Sequence, residues 1–106
     1  MISNMQKFYL CKEDWGGIQA EIKDGCLKIF EHIFSGPMEM ERWYNFDDKN
    51  TEILLKLLTE NVTDIKHIMI EKFGSKDGFE AFKKLCDENS IEYKYNAWST
   101  MDSDYR

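Results

Sequence analysis

Few side chains in this chain can make or break bonds, and their spacing is poor for it. The histidines, His32 and His67, sit outside any H-x-x-E or H-x-x-x-H pattern, the spacings by which a helix presents paired ligands to a metal. His67 falls between Ile65 and Met69 in a helical pattern and reads as a boundary histidine, so no metal ligand is expected. The cysteines, Cys11, Cys26 and Cys86, are odd in number and form no C-x-x-C, which argues against a disulfide framework or a structural zinc site. Cys86 lies four residues after Phe82 on an apolar stripe and reads as a core thiol, not a nucleophile. Acidic pairs occur at Glu13-Asp14, Asp47-Asp48 and Asp87-Glu88, but adjacent side chains point apart, and general acid–base pairs must converge across a cleft. Gly16-Gly17 lacks the setting of a phosphate loop. The expectation is a protein without catalytic residues, metal or cofactor, not an enzyme, and with no small-molecule ligand.

What remains is charge and aromatic area. The 106 residues carry 20 Asp+Glu against 14 Lys+Arg, a formal net charge of −6, with three Trp, five Tyr and seven Phe. That balance disfavours phosphate backbones and anionic membranes and suits a basic protein partner. Tyr93, Tyr95 and Trp98 could stack bases, but the surrounding charge opposes it. Trp15 follows Glu13 and Asp14; Trp43 lies among Glu39, Glu41, Asp47 and Asp48; Trp98 precedes Asp102 and Asp104. Rings beside carboxylates suit an interface facing cations. The candidate partner-binding residues are therefore Glu39, Glu41, Trp43, Asp47, Asp48, Trp15 and Trp98.

The elements that must position them follow from periodicity. Phe8 to Cys11 reads as a strand and Lys12 to Gly17 as a loop. Ile18, Ala20 and Ile22 alternate with polar residues up to Asp24-Gly25, the type I′ hairpin dipeptide. A two-residue turn there sets Lys23 opposite Cys26, Ile22 opposite Leu27 and Ala20 opposite Ile29. The returning strand continues towards Phe34. Ser35-Gly36-Pro37 breaks the pattern, and Glu39 to Phe46 alternates again, with Arg42 interrupting its apolar side. Phe30 and Trp43 fall on the polar face beside Glu21, Lys23, Lys28 and Glu41, where rings need cover or a partner.

Helical spacing takes over after Asp47. Ile53, Leu54, Leu57 and Leu58 form one stripe, with Asn61 as its end. A second helix, capped by Thr63, carries Ile65, Ile68, Met69 and Phe73, with Gly74 as its C-cap. A third, starting at Ser75 or Asp77, carries Phe79, Phe82, Leu85 and Cys86 and ends at Asn89. Ile91, Tyr93 and Tyr95 alternate in a last strand. The expected fold is α+β: an antiparallel β-meander of about four strands plus a C-terminal strand, one face covered by three short helices. Residues 1–106 form a single domain, with 1–46 mainly β, 47–90 helical, 91–98 the final strand and 99–106 a tail.

The order of these features resembles that of small bacterial immunity proteins, the antidotes of contact-dependent growth inhibition and related polymorphic toxin systems. The resembling residues are Trp15-Gly16, Asp24-Gly25-x-Leu27, Tyr44-x-Phe46, Thr51-x-x-Leu54-Leu55-x-x-Leu58, Phe73-Gly74, Phe79-x-x-Phe82-x-x-x-Cys86 and Ile91-x-Tyr93. The resemblance implies a non-enzymatic inhibitor that occludes the active site of one toxin domain, often a nuclease. It carries over no binding residue. Without a secretion signal or an apolar run long enough to span a bilayer, a cytoplasmic location is expected. The competing expectations are an acidic nucleic-acid mimic that inhibits a host enzyme, a small enzyme with an unrecognised pocket, and a self-associating structural protein.

Overall fold

A computed structural model describes residues 5–59 and 65–99. The strands are β1 (Met5–Glu13), β2 (Gly16–Lys23), β3 (Cys26–Ser35), β4 (Met38–Asn45) and β5 (Lys94–Ser99). The helices α1 (Asp48–Leu58), α2 (Ile65–Phe73) and α3 (Gly78–Glu88) lie between β4 and β5 in the chain. The strands form one antiparallel sheet in the order β1-β2-β3-β4-β5. This is the expected meander with its returning strand.

Turn chemistry sets the register. Asp24 and Gly25 both take positive φ, 53° and 81°, as a type I′ turn demands. Lys23 therefore faces Cys26, Ile22 faces Leu27 and Ala20 faces Ile29. At the next hairpin Gly36 takes φ 61° and Pro37 follows, so Ser35 pairs with Met38. β1 is longer than its apolar residues suggested. Lys12 and Glu13 pair with Gly17 and Gly16, and the expected loop shrinks to Asp14 and Trp15. Backbone pairing here overrides the polarity of the side chains, which solvent takes up. A bulge between Tyr9 and Cys11 inserts Leu10 as an extra residue, and both Phe8 and Leu10 are buried.

The helices cover one face. Ile18, Ala20, Leu27, Ile29 and Tyr44 from the sheet bury against Leu54, Ile65, Met69, Phe79 and Phe82. Tyr44 stacks on Phe79 at a centroid distance of 4.2 Å, and its hydroxyl donates to the Phe79 carbonyl at 3.4 Å. α1 is rotated from its expected stripe. Thr51 and Leu54 are buried while Ile53 and Leu57 are 46% exposed, because the Thr51 Oγ1 must accept the Leu27 N–H at 2.9 Å. Gly74 is not a left-handed cap, since its φ is not positive. An added Cβ there would lie 2.2 Å from the Ile70 carbonyl oxygen and 2.8 Å from that of Leu10, so close packing of α2 on β1 requires the glycine. The final strand begins at Lys94 rather than Ile91; Ile91 instead bonds back to the Cys86 carbonyl and is buried. Asn61, Thr63 and residues 100–106 lie outside the described residues. Among those described, no helix is long and apolar enough to cross a membrane.

Candidate functional site

Among the described residues no helix packs on the second face of the sheet, and the pairing register arranges that face in rows. Tyr9, Gln19, Phe30, Trp43 and Asn96 cross the middle. On the side of the Gly36-Pro37 turn lies the row Lys12, Gly17, His32, Glu41 and Trp98, with Phe34 and Glu39 beyond it. On the other side lie Lys7, Glu21, Lys28, Asn45 and Lys94, with Lys23 beyond. Every side chain in these rows is half-buried or exposed. Tyr9, Phe34 and Trp98 are 48%, 51% and 42% exposed, a large apolar area for a sheet surface in water.

The rings form a connected strip. Phe30 lies 6.0 Å from Trp43, 6.2 Å edge-on from His32, and the His32 ring lies 4.4 Å from Phe34. Lys28 places its Nζ 5.5 Å from the Phe30 ring and 5.4 Å from Trp43, and Lys12 sits 5.0 Å from Tyr9. These separations favour cation–π attraction. Gly17 lacks a side chain in the midst of the face, and there the surface sinks into a depression of about 310 Å³ lined by Tyr9, Lys12, Phe30, His32 and Phe34. Gly16 beside it has φ 138°, and a Cβ on it would lie 1.8 Å from the His32 carbonyl oxygen.

Charge divides the face. Glu39 and Glu41 converge on His32: its Nε2 lies 2.5 Å from Glu39 Oε2 and 3.7 Å from Glu41 Oε2. Lys7, Lys23, Lys28 and Lys94 dominate the opposite rim, with Glu21 among them. The face is therefore bipolar, a division that the net charge of −6 does not show.

Of the expected binding residues, Glu39, Glu41, Trp43 and Trp98 meet on this face, with Trp98 directly across from Glu41. Asp47 and Asp48 do not join them. They lie beyond the far end of β4, where Asp47 caps α1 by accepting the Asn50 backbone N–H at 2.7 Å. That hydrogen bond, then one from the Asn50 side chain, holds the Asp47 carboxyl below its ordinary value. Trp15 occupies the β1–β2 turn, half-buried and packed against the core, and its carbonyl accepts the Phe34 N–H at 2.7 Å. Burial pushes the Cys86 thiol up to about 12, which fits a core thiol.

Two constellations escaped the sequence reading. One is the meeting of His32 with Glu39 and Glu41, whose donor atoms all lie within 4.8 Å of one another. The other lies on the helix-covered face, where Arg42 reaches Glu31 at 2.6 Å and Glu80 at 3.0 Å with its guanidinium 4.7 Å from the Phe79 ring. Glu31 is 2% exposed. Burial alone would lower the Arg42 value, but hydrogen bonds and charge from Glu31 and Glu80 outweigh it and hold it above the ordinary range. A two-residue turn at Gly36-Pro37 implies both constellations, since it sets His32 opposite Glu41 and Glu31 opposite Arg42. No protein-family model, curated protein or solved structure matches this chain.

Proposed function

We propose that this chain is a binding protein of the immunity class, which neutralises a cognate toxin domain by seating its uncovered sheet face over the toxin's active site. The observation that carries the reading is the half-buried strip Phe30–Trp43, with the exposed Trp98 beside it, lying between a carboxylate rim and a lysine rim. Rigid rings at the centre of a patch and charges at its margin are the usual anatomy of a tight protein interface. Glu39 and Glu41 would pair with Lys or Arg of the toxin's substrate groove, and Trp43 would anchor the contact. The lysine rim adds a requirement: the toxin surface must carry acidic groups opposite Lys28 and Lys94, which narrows the choice of partner.

Affinity capture of a partner from the native host, followed by protection of cells that express the captured protein, tests the reading. Trp43→Ala and the pair Glu39→Lys/Glu41→Lys should each abolish protection and weaken binding about 30-fold or more, the loss of one hot spot of at least about 2 kcal/mol. Full protection by both variants would discard this face.

A second reading has its own observation. Tyr9, Phe30 and Trp43 lie in one row flanked by Lys7, Lys28 and Lys94, an arrangement on which single-stranded bases stack. Salt-dependent binding of a short oligonucleotide, lost in Lys28→Glu, would replace the first reading with this one.

A further inference from the structure

We propose that His32, Glu39 and Glu41 form a binding site for one divalent transition-metal ion on the uncovered face, a site that does not depend on the docking reading above. The donor set is mixed: one imidazole nitrogen and two carboxylate oxygens, all within 4.8 Å of one another. Imidazole selects zinc, iron, cobalt and nickel over magnesium and calcium, which prefer oxygen alone. A zinc-like ion holds its donors at about 2.0–2.2 Å, so tetrahedral donors sit about 3.4 Å from one another. The present Nε2–oxygen separations, 2.5 Å to Glu39 and 3.7 Å to Glu41, fall on either side of that value.

The scaffold favours it. The ligands stand on two directly paired strands, with His32 opposite Glu41 and Glu39 two residues before it on the same face. Phe34 and Phe30 hold the imidazole from two sides, so little ordering remains to be done on binding. The imidazole brings at most one positive charge to two carboxylates, whereas a divalent ion balances both. On binding, the ion takes the place of the His32–Glu39 contact, with the neutral imidazole presenting its Nε2 lone pair to the metal and carrying its one ring proton on Nδ1. Three protein ligands leave at least one coordination position open. His32 also lines the depression beside Gly17, which gives an exogenous ligand room to approach.

Cobalt(II) titration of the tag-free full chain, followed by d–d absorption, tests the site. One equivalent should bind without the intense thiolate charge-transfer band. Because Trp98 lies across from Glu41, tryptophan emission should change with the same stoichiometry. His32→Gln and Glu41→Gln should each weaken binding by about tenfold or more, with circular dichroism and urea midpoints showing both variants folded. Cys26→Ser removes the exposed thiol, and His67→Gln removes the imidazole beside Glu71; neither should change affinity. The proposal fails if no saturable uptake occurs by about 0.1 mM metal, near a binding free energy of −5 kcal/mol. It fails equally if His32→Gln and Glu41→Gln bind as the wild type does, or if Cys26→Ser or His67→Gln abolishes binding.

Discussion

Arg42 and Thr51 each satisfy a polar group that the fold would otherwise strand. Glu31 points into the helix-covered face, 2% exposed, and Arg42 meets it at 2.6 Å while reaching out to Glu80. Removing one partner of such a pair leaves a charge in a poor solvent. Arg42→Leu should therefore lower the unfolding free energy by about 3 kcal/mol, read from urea midpoints. Glu31→Leu together with Arg42→Leu should recover most of that loss, since paired apolar side chains need no solvation. Thr51 works differently. Its hydroxyl stands where β4 would place a carbonyl beyond its own end, and it accepts the Leu27 N–H at 2.9 Å. Thr51→Val keeps the shape and strands the donor, so it should cost about 1–3 kcal/mol. A near-neutral Thr51→Val would show that the bond matters little to how α1 seats on β3.

Elements were legible where the side chains make demands that local geometry alone can meet. Asp24-Gly25 needs positive φ at both residues, so its hairpin and register could be read from the dipeptide. The Gly36-Pro37 turn was read only as a break. Its register follows from Gly36 at φ 61° with Pro37 fixing the next φ, and without it the meeting of His32 with Glu39 and Glu41 stayed hidden. The helical stripe of α1 was misplaced by one face because Ile53 and Leu57 are as apolar as Leu54; only the tie from Thr51 to β3 decides which side turns inward. The start of β5 was misplaced because Ile91 buries its side chain from irregular backbone, and alternation cannot distinguish that from a strand. Gly16 read as loop and lies in β2, where its φ of 138° and the close His32 carbonyl exclude a side chain. Gly16→Ala should cost about 3 kcal/mol, the sum of backbone strain and overpacking. Because His32 shares that contact, the same substitution should also disturb cobalt binding if the chain stays folded, a coupling that separates it from Gly74→Ala on the α2 side.

Net charge describes the whole molecule and hides how it is arranged. The uncovered sheet face carries Lys7, Lys12, Lys23, Lys28 and Lys94 beside Glu21, Glu39 and Glu41, while the helices mix acids such as Asp48, Glu52, Glu80 and Asp87 with lysines such as Lys49, Lys56, Lys72 and Lys83. Composition could therefore suggest a cationic partner but not the bipolar surface that would receive it. The helix acids also govern how the fold responds to acid. Asp47 accepts the Asn50 backbone N–H and side chain, and Asp87 accepts from Lys83 and then Tyr93. Both carboxyls are held below the ordinary value, so on acidification the unfolded chain takes up these protons first. Their contribution is complete above the unfolded value, near 3.8, and is lost as pH falls through the lower folded value. The thermal midpoint should thus stay nearly level from about pH 7 to 5 and fall below about pH 4. Asp47→Ala removes both the cap and a favourable charge at the start of α1, so its midpoint should lie below the wild type at neutral pH. The gap should narrow as pH falls below about 3.8 and through the depressed folded value. A gap of constant size across the titration would mean that Asp47 acts through the shape of its side chain, and its charge would then have no part in holding α1 to the end of β4.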